Sequence, residues 1–387
     1  MNHDSATAFQ HWLLTTGRQA ANVPALLDLL GEKLHREAQV DRIWIGTTLL
    51  HPQTAAHTWV WTPETPAAGR SLGHNLYRTL AMDLNSPARR LELGAPFVRY
   101  RRALDEGQGF EDVVALWDKG FTDFYGLSLR SKGRWMGGVT LSTRAPDGFS
   151  PTQIELFDAV MPALEATLES LIKDLVTSGL LQTYLGRDAG ERVFKGQVKR
   201  GDGETIEAVV WFSDVRGFTR LSAQLDRSAL LQVLNDVFEL LVDVIDAHGG
   251  EVLKFMGDGL LGVFPAGEDS AAACRAARMA ATAFRARLQD LSAQRVNNGL
   301  APIDAGVGLH YGNVTYGNIG APARLDFTVI GPAVNLASRI EGLCGALSQP
   351  ILASEGFVAL EGGAWETCGH FEVKGVETPI LVARPVD

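Results

Sequence analysis

Cysteine is scarce in this sequence: three in 387 residues, Cys274, Cys344 and Cys368. The number is odd and no two share C-x-x-C spacing. That excludes a disulfide framework and a cysteine-based zinc site, and predicts reduced thiols in a cytoplasmic protein. No run of about 18 apolar residues is free of charge, so no transmembrane span is expected. The opening MNHDSATAFQHWLLTTGRQ lacks a basic segment followed by a long apolar one, so no signal peptide is expected either. Positive charge is also short. Against 45 Asp and Glu there are 35 Lys and Arg, leaving a net charge of −10. Such a chain is a poor non-specific binder of nucleic acid or anionic membrane. Internal repeats and low-complexity tracts are absent. What remains is ordinary soluble composition, 46% hydrophobic and 21% charged, long enough for two to three domains of roughly 150 residues each.

One boundary stands out. Ser150-Pro151-Thr152-Gln153 is a helix start, with serine to cap, proline at the first helical position and glutamine to complete a capping box. Ile154, Phe157, Met161, Leu164, Leu168, Leu171 and Leu175 then alternate spacings of three and four, a heptad seam interrupted only by Pro162. The seam serves either as a core-facing stripe or as a dimer helix that transmits a signal, and its length favours the stripe. The polar, glycine-spaced GRDAGERVFKGQVKRGDGET follows. The expected organisation is therefore a domain at 1–176, a connector at 177–204 and a second domain at 205–387.

In the first domain, residues 25–39 have helical periodicity. DRIWIGTTLL and TAAHTWVWT read as strands, and FYGLSLR and WMGGVTLST as a later hairpin. Strand pairs, a glycine-bearing hairpin and a terminal helix together resemble a GAF-type sensor domain of α/β character. Trp44, Trp59, Trp61 and Trp135 either line a small-molecule pocket or pack a core, the commoner role. His51, His57 and His74 lack metal-ligand spacing.

The second domain carries the chemistry. EAVVWF reads as a strand, 222–248 as one amphipathic helix, EVLKFMGDGLLGVF as a hairpin, 271–291 as a helix, and IDAGVGLHYGNVTYGNIG as a strand pair. This βαββαβ order is ferredoxin-like, and the fold class is α+β. Asp214 closes the first strand and Asp258 sits at the hairpin tip. Neighbouring strands would bring these carboxylates together, and a carboxylate pair on rigid elements can hold hard divalent ions that also bind phosphates. Arg216-Gly217-Phe218-Thr219 leads into a helix whose first N–H groups can face a phosphate. Taken singly, Asp214 could be a helix cap and Asp258 a turn residue. His310 on its strand, and Cys274 and Cys344 on apolar helix faces, read as packed residues.

FSDVRGFTRLS, HGGEVLKFMGDGLLGVF, GLHYGNVTYGNIG and RLDFTVIGPAVNLASRIE stand in this order. Together they resemble the catalytic domain of class III nucleotidyl cyclases. The resemblance implies that Asp214 and Asp258, with the Val215 carbonyl, hold two Mg²⁺ or Mn²⁺ ions. It implies that Gly217 and Phe218 open the phosphate-facing turn. Lys254, four residues before Asp258, and Thr328 take the base-reading positions. Asn335 takes that of the ribose-orienting asparagine, Arg339 that of the transition-state arginine, and Lys374 that of a lysine touching the triphosphate. Pro332 departs from the acidic residue common there, which implies a local backbone effect.

Adenine offers a ring-nitrogen acceptor and an amino donor. Lysine only donates, and threonine can accept. Lys254 and Thr328 thus favour ATP as substrate, giving 3′,5′-cyclic AMP and pyrophosphate. The resemblance also implies sites shared across a homodimer and control by the first domain through an unidentified small-molecule effector. The alternatives are a guanylate cyclase, a diguanylate cyclase on a related sheet, and a non-catalytic nucleotide-binding module.

Overall fold

The computed structural model describes residues 3–81, 86–105 and 110–386. By its internal contacts the chain divides into two units, Met1–Leu180 and Leu181–Asp387.

The first unit runs α1 (His3–Thr15), α2 (Val23–Ala38), β1 (Arg42–Thr48), β2 (Thr54–Thr62), β3 (Thr65–Gly73), α3 (His74–Ala81), α4 (Pro87–Glu92), β4 (Phe97–Arg101), α5 (Arg102–Asp105), α6 (Glu111–Asp118), β5 (Asp123–Ser131), β6 (Arg134–Thr143) and α7 (Pro151–Leu185), whose last turn belongs to the second unit. Its sheet is antiparallel in the order β3-β2-β1-β6-β5-β4.

Caps set the helix starts. Asn22 accepts the Ala25 N–H at the head of α2. The expected capping box is present at α7. The Gln153 N–H donates to Ser150 Oγ at 3.3 Å, and the Ser150 N–H returns to Gln153 Oε1 at 2.8 Å. The heptad seam faces the core. Phe157, Met161, Leu164 and Leu168 are buried beside α2, β1 and β6 residues, with Ile154 and Leu171 at the edge, while Leu175 is exposed. Pro162 lies inside the continuous helix. Trp59 and Trp61 belong to this core. Trp44, between buried Ile43 and Ile45 on β1, takes the opposite face of the sheet.

The second unit continues with α8 (Arg187–Phe194), β7 (Gly203–Val215), α9 (Phe218–Gln224), α10 (Arg227–Ala247), β8 (Glu251–Met256), β9 (Gly259–Pro265), α11 (Ser270–Asn297), β10 (Ala305–Ala321), β11 (Arg324–Ile330), α12 (Pro332–Ala346), β12 (Ile351–Ser354), α13 (Glu355–Glu361), β13 (Trp365–Phe371) and β14 (Ile380–Pro385). The central order β10-β7-β9-β8 is that of a ferredoxin-like sheet. It is extended by β12, β14 and β13, with β11 paired to β10.

Two expectations are corrected, and a third stretch holds more regular structure than its polar sequence shows. The stretch 177–204 is mostly helical: α7 reaches Leu185, Gly186 breaks it at φ +93°, and α8 follows. There the amide of Asp188 donates to the buried Glu251 carboxylate at 2.7 Å, a tertiary contact that composition does not show. The single helix expected over 222–248 is two, because Asp226 accepts the Ala229 N–H and starts α10 anew. The strand pair expected around residues 303–320 is one long strand. β7 pairs with β10 from Ala305↔Val215 to Gly317↔Gly203, which carries Gly312-Asn313 straight through instead of turning it.

Candidate functional site

The strand register places the two aspartates. Asp214 lies opposite Gly259, and Asp258 precedes it in a turn opened by Gly257 at φ +71°. The Val215 N–H donates to the Asp258 carbonyl at 3.3 Å, tying the strand end to the turn. A Cβ on Gly259 would stand 3.0 Å from the Ser213 carbonyl and 3.1 Å from Asp214 Oδ1, so glycine leaves the carboxylate its room. Burial, then the neighbouring Asp258 carboxylate and a hydrogen bond with it, push Asp214 up to about 6.

A third carboxylate joins them. Glu341 on α12 occupies an inward position, and a Cβ on Gly306 would meet its Oε1 at 2.8 Å. Gly306 is the cross-strand partner of Asp214. Burial, then the Asp214 charge, push Glu341 up to about 7, and Arg216 opposes the rise. α12 can come this close because Gly308 lies beneath it, where a Cβ would meet the Glu341 backbone N at 2.4 Å. Glu341 escaped the sequence reading. Its signal is an acid four residues after Ala337 on a stripe of buried Ala333, Ala337, Ile340 and Cys344.

Arg216 acts as a strut. Its guanidinium donates to the carbonyls of Cys344 and Gln349 and pairs with Asp304. Gly217, at φ +65°, then starts α9 without a side-chain cap, followed by half-buried Phe218.

A second group forms on β8 and β11. Lys254 Nζ pairs with Asp326 Oδ2 at 3.0 Å. Thr328, two residues along the same strand and so on the same face, is 4% exposed, and its hydroxyl has no partner among the described residues. Asp326 was also missed. Its signal is that two-residue offset from Thr328.

The third group faces outward. Asn335 and Arg339 lie one turn apart on α12, both exposed, and neither side chain has a hydrogen bond or ion pair among the described residues. Pro332 occupies the first turn of that helix, where a missing N–H costs nothing. Lys374 is exposed in the turn between β13 and β14. The chain thus brings Asp214, Asp258 and Glu341 together and Lys254, Asp326 and Thr328 together. Asn335, Arg339 and Lys374 stay outside both groups.

The remaining candidates are packed. His310 Nδ1 lies 2.7 Å from Ser354 Oγ, and burial pulls the ring down to about 4. Cys274 and Cys344 are buried. Among the described residues no cluster of three His, Cys, Asp or Glu has metal-binding geometry. The donors at hand are two carboxylates and a strand-end carbonyl, all hard oxygen. Such a set suits a small divalent cation whose other ligands are water or phosphate.

Residues 203–381 match the family described as the adenylate and guanylate cyclase catalytic domain. An adenylate cyclase of Anabaena cylindrica is 35% identical over 161 residues, 42% of this chain and 32% of that protein. The chain spans about a third of the length of the curated relatives it matches. Among solved structures, the adenylyl cyclase CyaB from P. aeruginosa is 31% identical over 48% of this chain and 96% of that one, with a TM-score of 0.45. A bacterial light-regulated adenylyl cyclase is 20% identical, covering 75% of this chain and 92% of that one at a TM-score of 0.50, a likeness of fold. Among the described residues no helix is long and apolar enough to cross a membrane.

Proposed function

The chain belongs, through residues 203–381, to the class III nucleotidyl cyclases, and from that premise we propose that it converts ATP to 3′,5′-cyclic AMP and pyrophosphate. The observation that carries the reading is the Asp214–Asp258 pair, two carboxylates held together at a strand end. Asp214 and Asp258, with the Val215 carbonyl, would hold two Mg²⁺ or Mn²⁺ ions, which when bound favour ionisation of the ribose 3′-hydroxyl and neutralise the triphosphate.

The chain's own residues do the rest. Lys254 donates to the adenine ring nitrogen, and Thr328 accepts from the amino group. Asp326 keeps the ammonium at that place until the base arrives. Asn335 orients the ribose. The 3′-oxygen forms its bond to the α-phosphorus as the bond to the β-phosphate oxygen breaks. Arg339 neutralises the charge growing on the α-phosphate oxygens, a donor worth about 3–4 kcal/mol. Gly217 and Phe218 offer backbone N–H groups at the start of α9, and Lys374 approaches the triphosphate.

Asn335 and Arg339 are exposed and, among the described residues, unpaired, which supports their serving a second copy's aspartates across a head-to-tail homodimer. The first unit is read as a GAF-like regulatory domain whose effector is a small molecule, acting through α7. Unchanged output from a chain lacking 1–176 would contradict that control.

Product identity tests the reading. The full-length protein is incubated with ATP or GTP, each with Mg²⁺ or Mn²⁺, beside Asp214→Ala, and the products are identified by mass spectrometry. Cyclic AMP from the native chain and none from the variant is expected. Cyclic GMP formed from GTP in preference would overturn the base assignment, and no cyclic product under any condition would overturn the activity.

A further inference from the structure

β8 carries one residue too many for its partner strand. Glu251 lies opposite Val263 and Val252 opposite Gly262, but Lys254 lies opposite Leu261, so Leu253 is the extra residue of a β-bulge. Side chains alternate along a strand, and cross-strand partners share a face. Val252 packs with the α10 and α11 core, and Leu253 with the opposite cluster of Leu261, Val263, Tyr316 and Phe327. Strict alternation would return Lys254 to the α10 face. The bulge instead sets it on the face of Leu261, where it meets Asp326. Phe255 then resumes the α10 face, its ring 4.5 Å from that of Phe238. The aim of Lys254 therefore depends on one irregularity in a strand at the end of the sheet.

Glu251 stands just before the bulge, 8% exposed, and α8 and β10 converge on it. One carboxylate oxygen accepts the Asp188 N–H at the start of α8 at 2.7 Å, and the other accepts the Tyr316 hydroxyl of β10 at 3.3 Å. Gly186, between α7 and α8, lies over the same place: a Cβ there would stand 2.8 Å from Glu251 Oε1 and 3.0 Å from the Val252 carbonyl. Ala189 of α8 belongs to the cluster that seats Leu253. The Tyr316 ring in turn meets Phe327 edge-on at 4.8 Å, and Phe327 stands between Asp326 and Thr328 on β11. One buried carboxylate thus ties the bulge behind Lys254 to the strand that carries Asp326 and Thr328. Such a group holds its neighbours firmly, because releasing it would leave buried donors unpaired.

We infer that Glu251 is a positioning residue for base recognition: it touches no nucleotide, and by fixing the α8 start and Tyr316 against the bulge it holds Lys254, Asp326 and Thr328 at the spacing a purine ring requires. The inference rests on the reading of Lys254 as a base-reading residue. It concerns the base alone, so phosphate binding through the aspartates should not depend on Glu251.

The test is isothermal titration calorimetry on the full chain with Mg²⁺. The probes are 3′-deoxy-ATP, which lacks the attacking hydroxyl, and tripolyphosphate, which has the phosphates without the base. Glu251→Leu removes both acceptor oxygens at similar volume, and Glu251→Gln keeps one. Tyr316→Phe removes one hydroxyl and keeps the ring on Phe327. Circular dichroism melting identifies the folded variants, and Tyr316→Phe decides the question if Glu251→Leu does not fold. Binding of 3′-deoxy-ATP should weaken about tenfold in Lys254→Ala and in Glu251→Leu, about threefold in Tyr316→Phe, and less in Glu251→Gln than in Glu251→Leu. Adding Glu251→Leu to Lys254→Ala should cost little more, because both act through one group. Tripolyphosphate should bind every variant alike. No 3′-deoxy-ATP binding to the native chain, or native affinity in Lys254→Ala, would overturn the base reading and the inference with it. With Lys254→Ala weakened, native affinity in folded Glu251→Leu or in Tyr316→Phe, additive losses in the double variant, or an equal loss of tripolyphosphate would overturn the inference alone.

Discussion

The two groups in the catalytic unit solve opposite electrostatic problems. Asp214, Asp258 and Glu341 gather like charges, and the two whose titration shifts move upward because burial and their neighbours penalise the anion. Lys254 and Asp326 gather opposite charges and neutralise each other at 3.0 Å in a half-exposed setting. On the proposed reading the first group would be completed by an external cation, and the second, complete alone, would exchange a partner to read a base. Burial and like charge thus oppose ionisation in the first group, while the second is held in place at little cost.

The largest break in this comparison is on the acidic side. Asp214→Ala or Asp258→Ala should lower cyclic nucleotide formation about 1,000-fold or more, read as initial rate at saturating Mn²⁺. Arg339→Ala should follow, with a loss in kcat of about 100- to 1,000-fold and little change in KM. On the base side, Lys254→Glu replaces a donor by an acceptor, so the ATP-over-GTP ratio of kcat/KM should fall at least about tenfold.

The fourth prediction concerns pH. Glu341 rises from an ordinary 4.5 to about 7 in the folded chain, so the folded state holds its proton longer than the unfolded state. Its favourable contribution is intact below about pH 4.5 and is lost as pH rises through about 7. In metal-free protein, Glu341→Gln should therefore match the native chain near pH 4.5 and melt several degrees higher at pH 8, with saturating Mn²⁺ narrowing the gap. His310, buried neutral, pulls the other way but cancels in the difference. Smallest is Asp326→Asn, which should cost no more than about 1 kcal/mol in urea unfolding, because the pair is half-exposed.

Local chemistry was readable from the chain. The Ser150–Gln153 box, the core-facing seam and the strand and turn that carry Asp214 and Asp258 all depend on neighbours in sequence. What escaped depends on partners far away. The β10 strand runs through Gly312-Asn313 because β7 pairs with its whole length. α8 forms against Glu251 despite its polar sequence. Glu341 meets the aspartates only because Gly306 and Gly308 let α12 settle on the sheet. The tryptophans divided: Trp59 and Trp61 pack the core, whereas Trp44 and Trp135 wall a cavity, a distinction set by which side of a strand each occupies.

The central claim is that aspartates and arginine meet across two copies of the chain, and co-expression tests it most directly. Asp214→Ala and Arg339→Ala chains, each inactive alone and carrying different tags, are purified together as mixed dimers and assayed for cyclic AMP. Each mixed dimer keeps one intact site of two, so about half the native activity per dimer is expected. Mixed dimers as inactive as either parent would contradict the shared site.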